Sequence, residues 1–187
     1  MGELEQEELH REERDEAALA AARAQVYAVF DELGIPYEVA DHPPIYSAAD
    51  RIRQDVQVDA LICKNLFLRN KEKSRHYLYA LPIDKRADLA ALQKILGESR
   101  LSFGDADALW DCLRIRPGSV SLLNIIGARE AGQGVENPVL LKFLVDADVL
   151  AVPRIGLHPN DNAATIMFEA ARLAELFRHY RADFEFV

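Results

Sequence analysis

The chain has 187 residues, 50% of them hydrophobic, with two cysteines and a formal net charge of −9, which is enough for one domain whose core needs no disulfide or metal staple. A net acidic protein is not a non-specific nucleic-acid binder, whose affinity rests on neutralising many phosphates. Cys63 and Cys112, in apolar contexts without a CxxC pattern, read as buried thiols in a reducing compartment, and no charged-then-apolar leader or bilayer-length apolar run is present, so the expectation is a soluble cytoplasmic protein.

The charge is uneven. Residues 1–16 hold eight acids (Glu3, Glu5, Glu7, Glu8, Glu12, Glu13, Asp15, Glu16) against Arg11 and Arg14. They read as the acidic N-terminal extension of a helix, and residues 17–187 as a single, nearly neutral domain. A charge run of this kind is ordinarily a solvated face; a partner-binding helix or an acidic mimic of nucleic acid is the alternative. The body can still present local basic patches, at Arg69, Lys71, Lys73 and Arg75 or at Arg51 and Arg53.

Leu19, Ala22, Val26, Val29, Phe30 and Leu33 recur at helical spacing until Gly34 and Pro36 supply a stop, predicting one long helix. Tyr37–Ala40 reads as a short strand, ended by Asp41-His42-Pro43-Pro44, after which Ser47 offers an N-cap to a helix from Ala48. Leu61–Arg69 and His76–Leu81, around the polar turn 70–74, predict a hairpin. Asp88 and Asp105 can each cap a helix. Val139–Val145 and Val149–Ile155 read as a strand pair flanking Asp146-Ala147-Asp148. Ala164–Phe168 reads as strand, Glu169–Tyr180 as helix and Phe184–Val187 as a last strand. Hairpin-paired strands with helices inserted between them predict an α+β domain with a largely antiparallel sheet.

Three segments could carry chemistry. In Leu61-Ile62-Cys63-Lys64-Asn65-Leu66-Phe67-Leu68, alternation puts Lys64 on one face with Ile62, Leu66 and Leu68. A lysine on an apolar face is costly to bury unpaired. It is either an edge residue with a snorkelling stem or a fixed charge at a cleft. Pro117-Gly118-Ser119-Val120-Ser121 is by itself a turn, yet glycine also lets backbone N–H groups approach a carbonyl whose oxygen gains charge. His158-Pro159-Asn160-Asp161-Asn162 is dense in turn-formers. One histidine beside one aspartate makes a poor metal set, so no metal is expected. Phosphate-cradling GxxxxGK[ST], dinucleotide GxGxxG and nucleophile GxSxG patterns do not occur.

Taken together, from about Asp31 to Val187, these segments resemble the prolyl-tRNA editing domain family, specifically its free-standing alanyl-tRNA(Pro) deacylases. Lys64 matches the family's active-site lysine, with Asn65, Leu66, Phe67 and Leu68 around it. Gly118 matches the glycine of a GxxxP loop that holds the substrate carbonyl through main-chain amides, Ser119 and Val120 following it, while Leu122 stands where that loop has proline. His158, Pro159, Asn160, Asn162 and Thr165 match the HPN…NxAT wall of the aminoacyl pocket, with Leu157 and Ala163 as departures. His42-Pro43-Pro44-Ile45-Tyr46-Ser47 is similar to the segment framing the pocket entrance, where Tyr46 is a core residue or a platform for the terminal adenine.

The resemblance implies a curved, mixed, mainly antiparallel sheet or pseudo-barrel flanked by helices. It implies a cofactor-free deacylase that releases alanine from mischarged Ala-tRNA(Pro). Lys64, Gly118 and His158 are then its catalytic candidates, and Tyr46, Ser47, Asn65, Ser119, Val120, Pro159, Asn160, Asn162 and Thr165 its substrate contacts. The partner it implies is the aminoacylated acceptor end of tRNA, with prolyl-tRNA synthetase or an elongation factor as protein partners, no membrane, and an open oligomeric state. A deacylase for Cys-tRNA(Pro) or another small aminoacyl-tRNA, or a non-catalytic aminoacyl-tRNA-binding module, are the alternatives.

Overall fold

The computed structural model describes residues 3–45, 50, 51, 56–113, 115, 118, 120–126 and 140–187, with side chains from residue 17 onward except that of residue 140. The expected helix is present as α1 (Glu3–Glu32), continuous through the acidic head and built largely from the strong helix formers Ala, Glu, Leu and Arg. It stops at Gly34, which takes φ +60, the left-handed conformation that glycine adopts without penalty. Val26, Val29 and Phe30 on its inner side are buried. Phe30 meets Phe168 edge-on, ring centroids 4.9 Å apart.

β1 (Tyr37–Asp41) follows. Of the helix expected from Ala48, only Asp50 and Arg51 fall within the described residues, and both are helical. The hairpin is formed by β2 (Leu61–Asn70) and β3 (Arg75–Pro82), in register from Cys63 opposite Pro82 to Arg69 opposite His76. Asn70 closes its turn, Oδ1 accepting the N–H groups of Ser74 and Arg75 at 3.0 and 3.2 Å. Asp88 and Asp105 cap α2 (Leu89–Leu96) and α3 (Ala106–Leu113), each through Oδ1 at 2.9 Å, to Ala91 N–H and Ala108 N–H. Between the helices lies β4 (Leu101–Phe103), too short to announce itself by periodicity.

One expectation is corrected. β5 (Leu140–Val145) is present, but Val149 belongs to a one-turn helix, α4 (Ala147–Leu150), and the next strand, β6 (Arg154–Leu157), starts later than expected. β5 and β6 do not pair: β5 runs parallel between β3 and β8 (Asp183–Phe186), whereas β6 lies between β2 and β7 (Ala164–Glu169). Asp146 decides this locally, because its Oδ1 accepts Asp148 N–H at 3.0 Å as a helix cap and not as a hairpin turn. After β7, a 3-10 turn at Ala170–Arg172 leads into α5 (Leu173–His179).

The eight strands form one sheet in the order β1-β7-β6-β2-β3-β5-β8, with β4 on the edge of β2 opposite β3. It is mixed and mostly antiparallel, open between β1 and β8, and its central strands are covered on both faces. One face packs Cys63, Phe67, Leu78, Ala80, Phe143 and Val145 against α1, α3, α5 and the segment 122–126. The other packs Leu68, Tyr77, Tyr79, Leu81 and Leu144 against Leu92 of α2 and Leu101 of β4. The alternation of β2 and β3 residues between these two cores is the period-2 pattern read from the sequence. The fold is α+β, as expected.

Candidate active site

The site begins as a notch in the sheet. On the edge of β2 away from β3, β6 pairs only with Leu61 and Ile62 and β4 only with Leu68, Arg69 and Asn70, so no described strand covers Cys63–Phe67. Gly156 makes the junction with β6 possible: a Cβ there would lie 2.6 Å from Ile62 Cδ1 and 3.0 Å from Thr165 Cγ2. Beyond Leu157 the chain leaves the sheet at His158. A cavity of about 220 Å³ occupies the notch, lined by Lys64, Asn65, Gly118, Val120 and His158 together with Ile45, Arg51, Ile62, Cys63 and Ile83.

Lys64 enters half-buried, its Nζ donating to the carbonyl of Ile83 at 2.9 Å. Among the described residues no carboxylate lies within ion-pair distance of it, so its charge is free to act on a ligand. Asn65 follows with its Oδ1 buried and, among the described residues, without a hydrogen-bond partner, an acceptor left unsatisfied in the free protein. Gly118 takes φ +103, a backbone conformation that only glycine adopts at ease. His158 Nδ1 lies 3.0 Å from the carbonyl of Ala164. A carbonyl can only accept, so Nδ1 carries the proton and Nε2 carries the lone pair. Burial, which outweighs that hydrogen bond, pulls the His158 pKa below its ordinary value, and the charge of Arg51 adds to the shift. Cys63 also lines the cavity, but burial pushes its thiol up to about 12, so it is no thiolate.

Pro159, Asn160, Asn162 and Thr165 are buried without lining this cavity. They hold its wall. Asn160 has φ +59, a left-handed conformation that asparagine tolerates, and its Oδ1 accepts from Asn124 Nδ2 at 2.8 Å. Asn124 Oδ1 in turn accepts the N–H of Ser121 at 2.7 Å, tying the histidine turn to the loop after Gly118. Asn162 offers its carbonyl to the N–H of Ile45 at 2.9 Å, and Thr165 Oγ1 lies 2.9 Å from His42 Nε2. Tyr46, Ser47 and Ser119 lie outside the described residues.

Leu122 opens a 3-10 turn that Ser121 caps, and it is fully buried in the main core instead of lining the cavity. The first position of such a turn accepts proline, and Ser121 is already extended, at φ −147 and ψ 155, as a residue before proline must be. The leucine therefore departs from the family pattern without diverting the backbone.

Several contributors escape sequence reasoning. Arg23 of α1 bonds Asp161 through both Nε and Nη2 and Asp41 through Nη1 at 2.7 Å, clamping the histidine turn to the helix. Asp161 also accepts Ala163 N–H at 2.9 Å. The Arg23–Asp161 pair spans 138 positions, so no local pattern signals it. Arg51 was visible only as part of a basic patch. Ile45 belongs to the proline-rich segment already singled out, and Ile62 and Ile83 flank the hairpin.

The sequence pattern of the aminoacyl-tRNA editing domain matches residues 42–176, a span that contains every residue lining the cavity. Prolyl-tRNA editing protein ProX of Acetoanaerobium sticklandii is 30% identical over 157 residues, covering 84% of this chain and 91% of that protein. Prolyl-tRNA synthetase associated domain-containing protein 1 of Xenopus laevis is 28% identical over 148 residues, covering 77% and 83%. A crystal structure described as a candidate trans-editing enzyme for prolyl tRNA synthetase shares the fold, with a TM-score of 0.60 at 17% identity over 88% of this chain and 94% of that one. The chain belongs to the aminoacyl-tRNA editing domain family, enzymes that hydrolyse the ester joining an amino acid to its tRNA.

Proposed function

We propose that this enzyme is a free-standing editor that hydrolyses mischarged Ala-tRNA(Pro) to alanine and tRNA. The observation that carries the reading is the meeting of Lys64, Asn65, Gly118, Val120 and His158, from three distant segments, around one cavity. Its volume of about 220 Å³ falls below the ~300–1,000 Å³ of sites for drug-sized ligands. That size suits an aminoacyl group and the edge of its ribose.

An aminoacyl ester is already activated, so the enzyme need mainly position the carbonyl, polarise it and guide a water. The water oxygen bonds to the carbonyl carbon, the bond from that carbon to the ribose oxygen breaks, and the ribose oxygen takes a proton. Main-chain N–H groups at Gly118 and beyond would hold the carbonyl oxygen as it gains charge, with Lys64 Nζ adding positive charge at the acceptor end. His158 Nε2, unprotonated, would accept a proton from the water or from a ribose hydroxyl. Asn65 Oδ1 would accept from the substrate's amino group, and Asn160 would hold the histidine turn in place. Selectivity would be steric: a synthetase pocket rejects a smaller amino acid by only about 1–3 kcal/mol per methylene, and a second site that admits alanine but not the proline ring completes the discrimination.

Ester loss from Ala-, Cys- and Pro-tRNA(Pro) tests the reading. Alanine should be released fastest and Pro-tRNA(Pro) spared; equal rates for Ala and Pro would defeat it. Lys64→Ala should lower kcat/KM by about 10²–10³-fold with an unchanged melting temperature, since among the described residues Lys64 makes one hydrogen bond and no ion pair.

A further inference from the structure

Among the described residues, Arg51 is the one charged side chain lining the cavity that the proposed chemistry does not use. Its guanidinium is half-buried, and its Nη2 is buried with no hydrogen-bond partner. Burial lowers its pKa, and among the described residues it has no counter-ion. An arginine nitrogen in that condition is costly. The cost is met when a ligand supplies the missing acceptor. The lining points to the sign of that ligand: Lys64 and Arg51 both face the cavity and no described carboxylate does, although acids outnumber bases 31 to 22 along the chain. The cavity is thus a cationic site in an acidic molecule, which concentrates anions locally.

Resting on the editing reading above, we propose that Arg51 grips the 5′-phosphate of the tRNA's 3′-terminal nucleotide and so sets how far the acceptor end enters the cavity. The ester and that phosphate sit on opposite sides of one ribose. A carbonyl held at Gly118 therefore leaves the phosphate one ribose away, and Arg51 lines the same cavity as Gly118. Between the two cations the guanidinium is the better match: its planar fork takes two phosphate oxygens at once, whereas Lys64 Nζ already donates to Ile83. Arg51 would act as a positioning residue, outside the bond-breaking step.

The test uses 3′-deoxy-3′-(L-alanylamino)adenosine, in which an amide replaces the ester, with and without a 5′-phosphate. Binding of each to the full-length protein is measured by calorimetry for wild type, Arg51→Met and Arg51→Lys, with free alanine as a further ligand. The wild type should bind the phosphorylated compound about ten-fold more tightly than the unphosphorylated one. Arg51→Met should abolish that difference while leaving affinity for the unphosphorylated compound unchanged, and Arg51→Lys should restore part of it. Equal binding of the two compounds by wild type, or equal weakening of both by Arg51→Met, would overturn the proposal and leave the editing reading intact. An affinity for free alanine that depends on Arg51 would reassign the guanidinium to the product carboxylate and overturn it too. Failure of the wild type to bind either compound would remove the editing reading and this inference with it.

Discussion

His158 shows how one backbone contact sets the chemistry of a side chain. The carbonyl of Ala164 fixes Nδ1 as the donor, and burial keeps the ring neutral below its ordinary titration range. A free imidazole that acts as a base loses activity as pH falls through about 6.5. Here the acidic limb of the kcat/KM profile should be displaced to lower pH, because the folded ring takes up its proton only after an ordinary histidine has done so. The sign follows for stability: the unfolded chain binds a proton at His158 before the folded one, so stability present above pH ~6.5 erodes as pH falls. A pH–rate profile with its acidic limb at or above 6.5 would show that this ring is not the proton acceptor. His158→Gln should remove the limb along with most of the activity. The residues that meet at the cavity were legible in the sequence as candidates, because Lys64, Gly118 and the histidine turn each sit in a distinctive motif. Their supports were not, since Arg23 bridges Asp161 and Asp41 only through the tertiary fold.

The hairpin β2–β3 and the caps at Asp88 and Asp105 follow from local patterns, which is why they could be read in advance. The misread stretch, Val149–Ile155, is as apolar as a strand, but its structure is decided by what Asp146 does. That carboxylate is buried at 3% exposure. It accepts from Tyr79 Oη at 2.6 Å, from Lys85 Nζ at 2.7 Å and from the N–H of Asp148 at 3.0 Å. Burial works against its charge, yet these three bonds hold its pKa below the usual carboxylate value. The parallel pairings of β5 with β3 and β8 are equally silent in sequence, because pairing partners are chosen by packing over long separations. Asp146→Ala should cost about 2–4 kcal/mol in denaturant unfolding, combining a lost cap with a buried Tyr79 hydroxyl left unsatisfied. Asp146→Asn, which keeps a cap and an acceptor, should cost clearly less. Equal costs would mean that the charge alone matters.

At the scale of the whole molecule the net charge of −9 stands against a substrate that is a polyanion, and the two are reconciled by where the charge sits. Residues 1–16 hold eight of the 31 acids and two of the 22 bases, at the far end of α1, while the only α1 side chain bonded to the histidine turn in the described structure, Arg23, lies beyond them. Val26, Val29 and Phe30, also beyond the head, anchor the helix to the core, so the head is not needed to seat α1. Among the described residues no helix is long and apolar enough to cross a membrane; the head itself is a charged stretch of α1. Its carboxylates repel phosphates over roughly one Debye length, about 10 Å at 0.1 M salt. Deleting residues 1–16 should therefore leave kcat on Ala-tRNA(Pro) unchanged and lower KM at low ionic strength, with the difference fading as salt rises. Measuring KM for both forms between 20 mM and 300 mM salt, about the range over which surface charges become screened, separates the outcomes: a salt-independent gain would not be electrostatic, and a loss of kcat would show that the head completes the site.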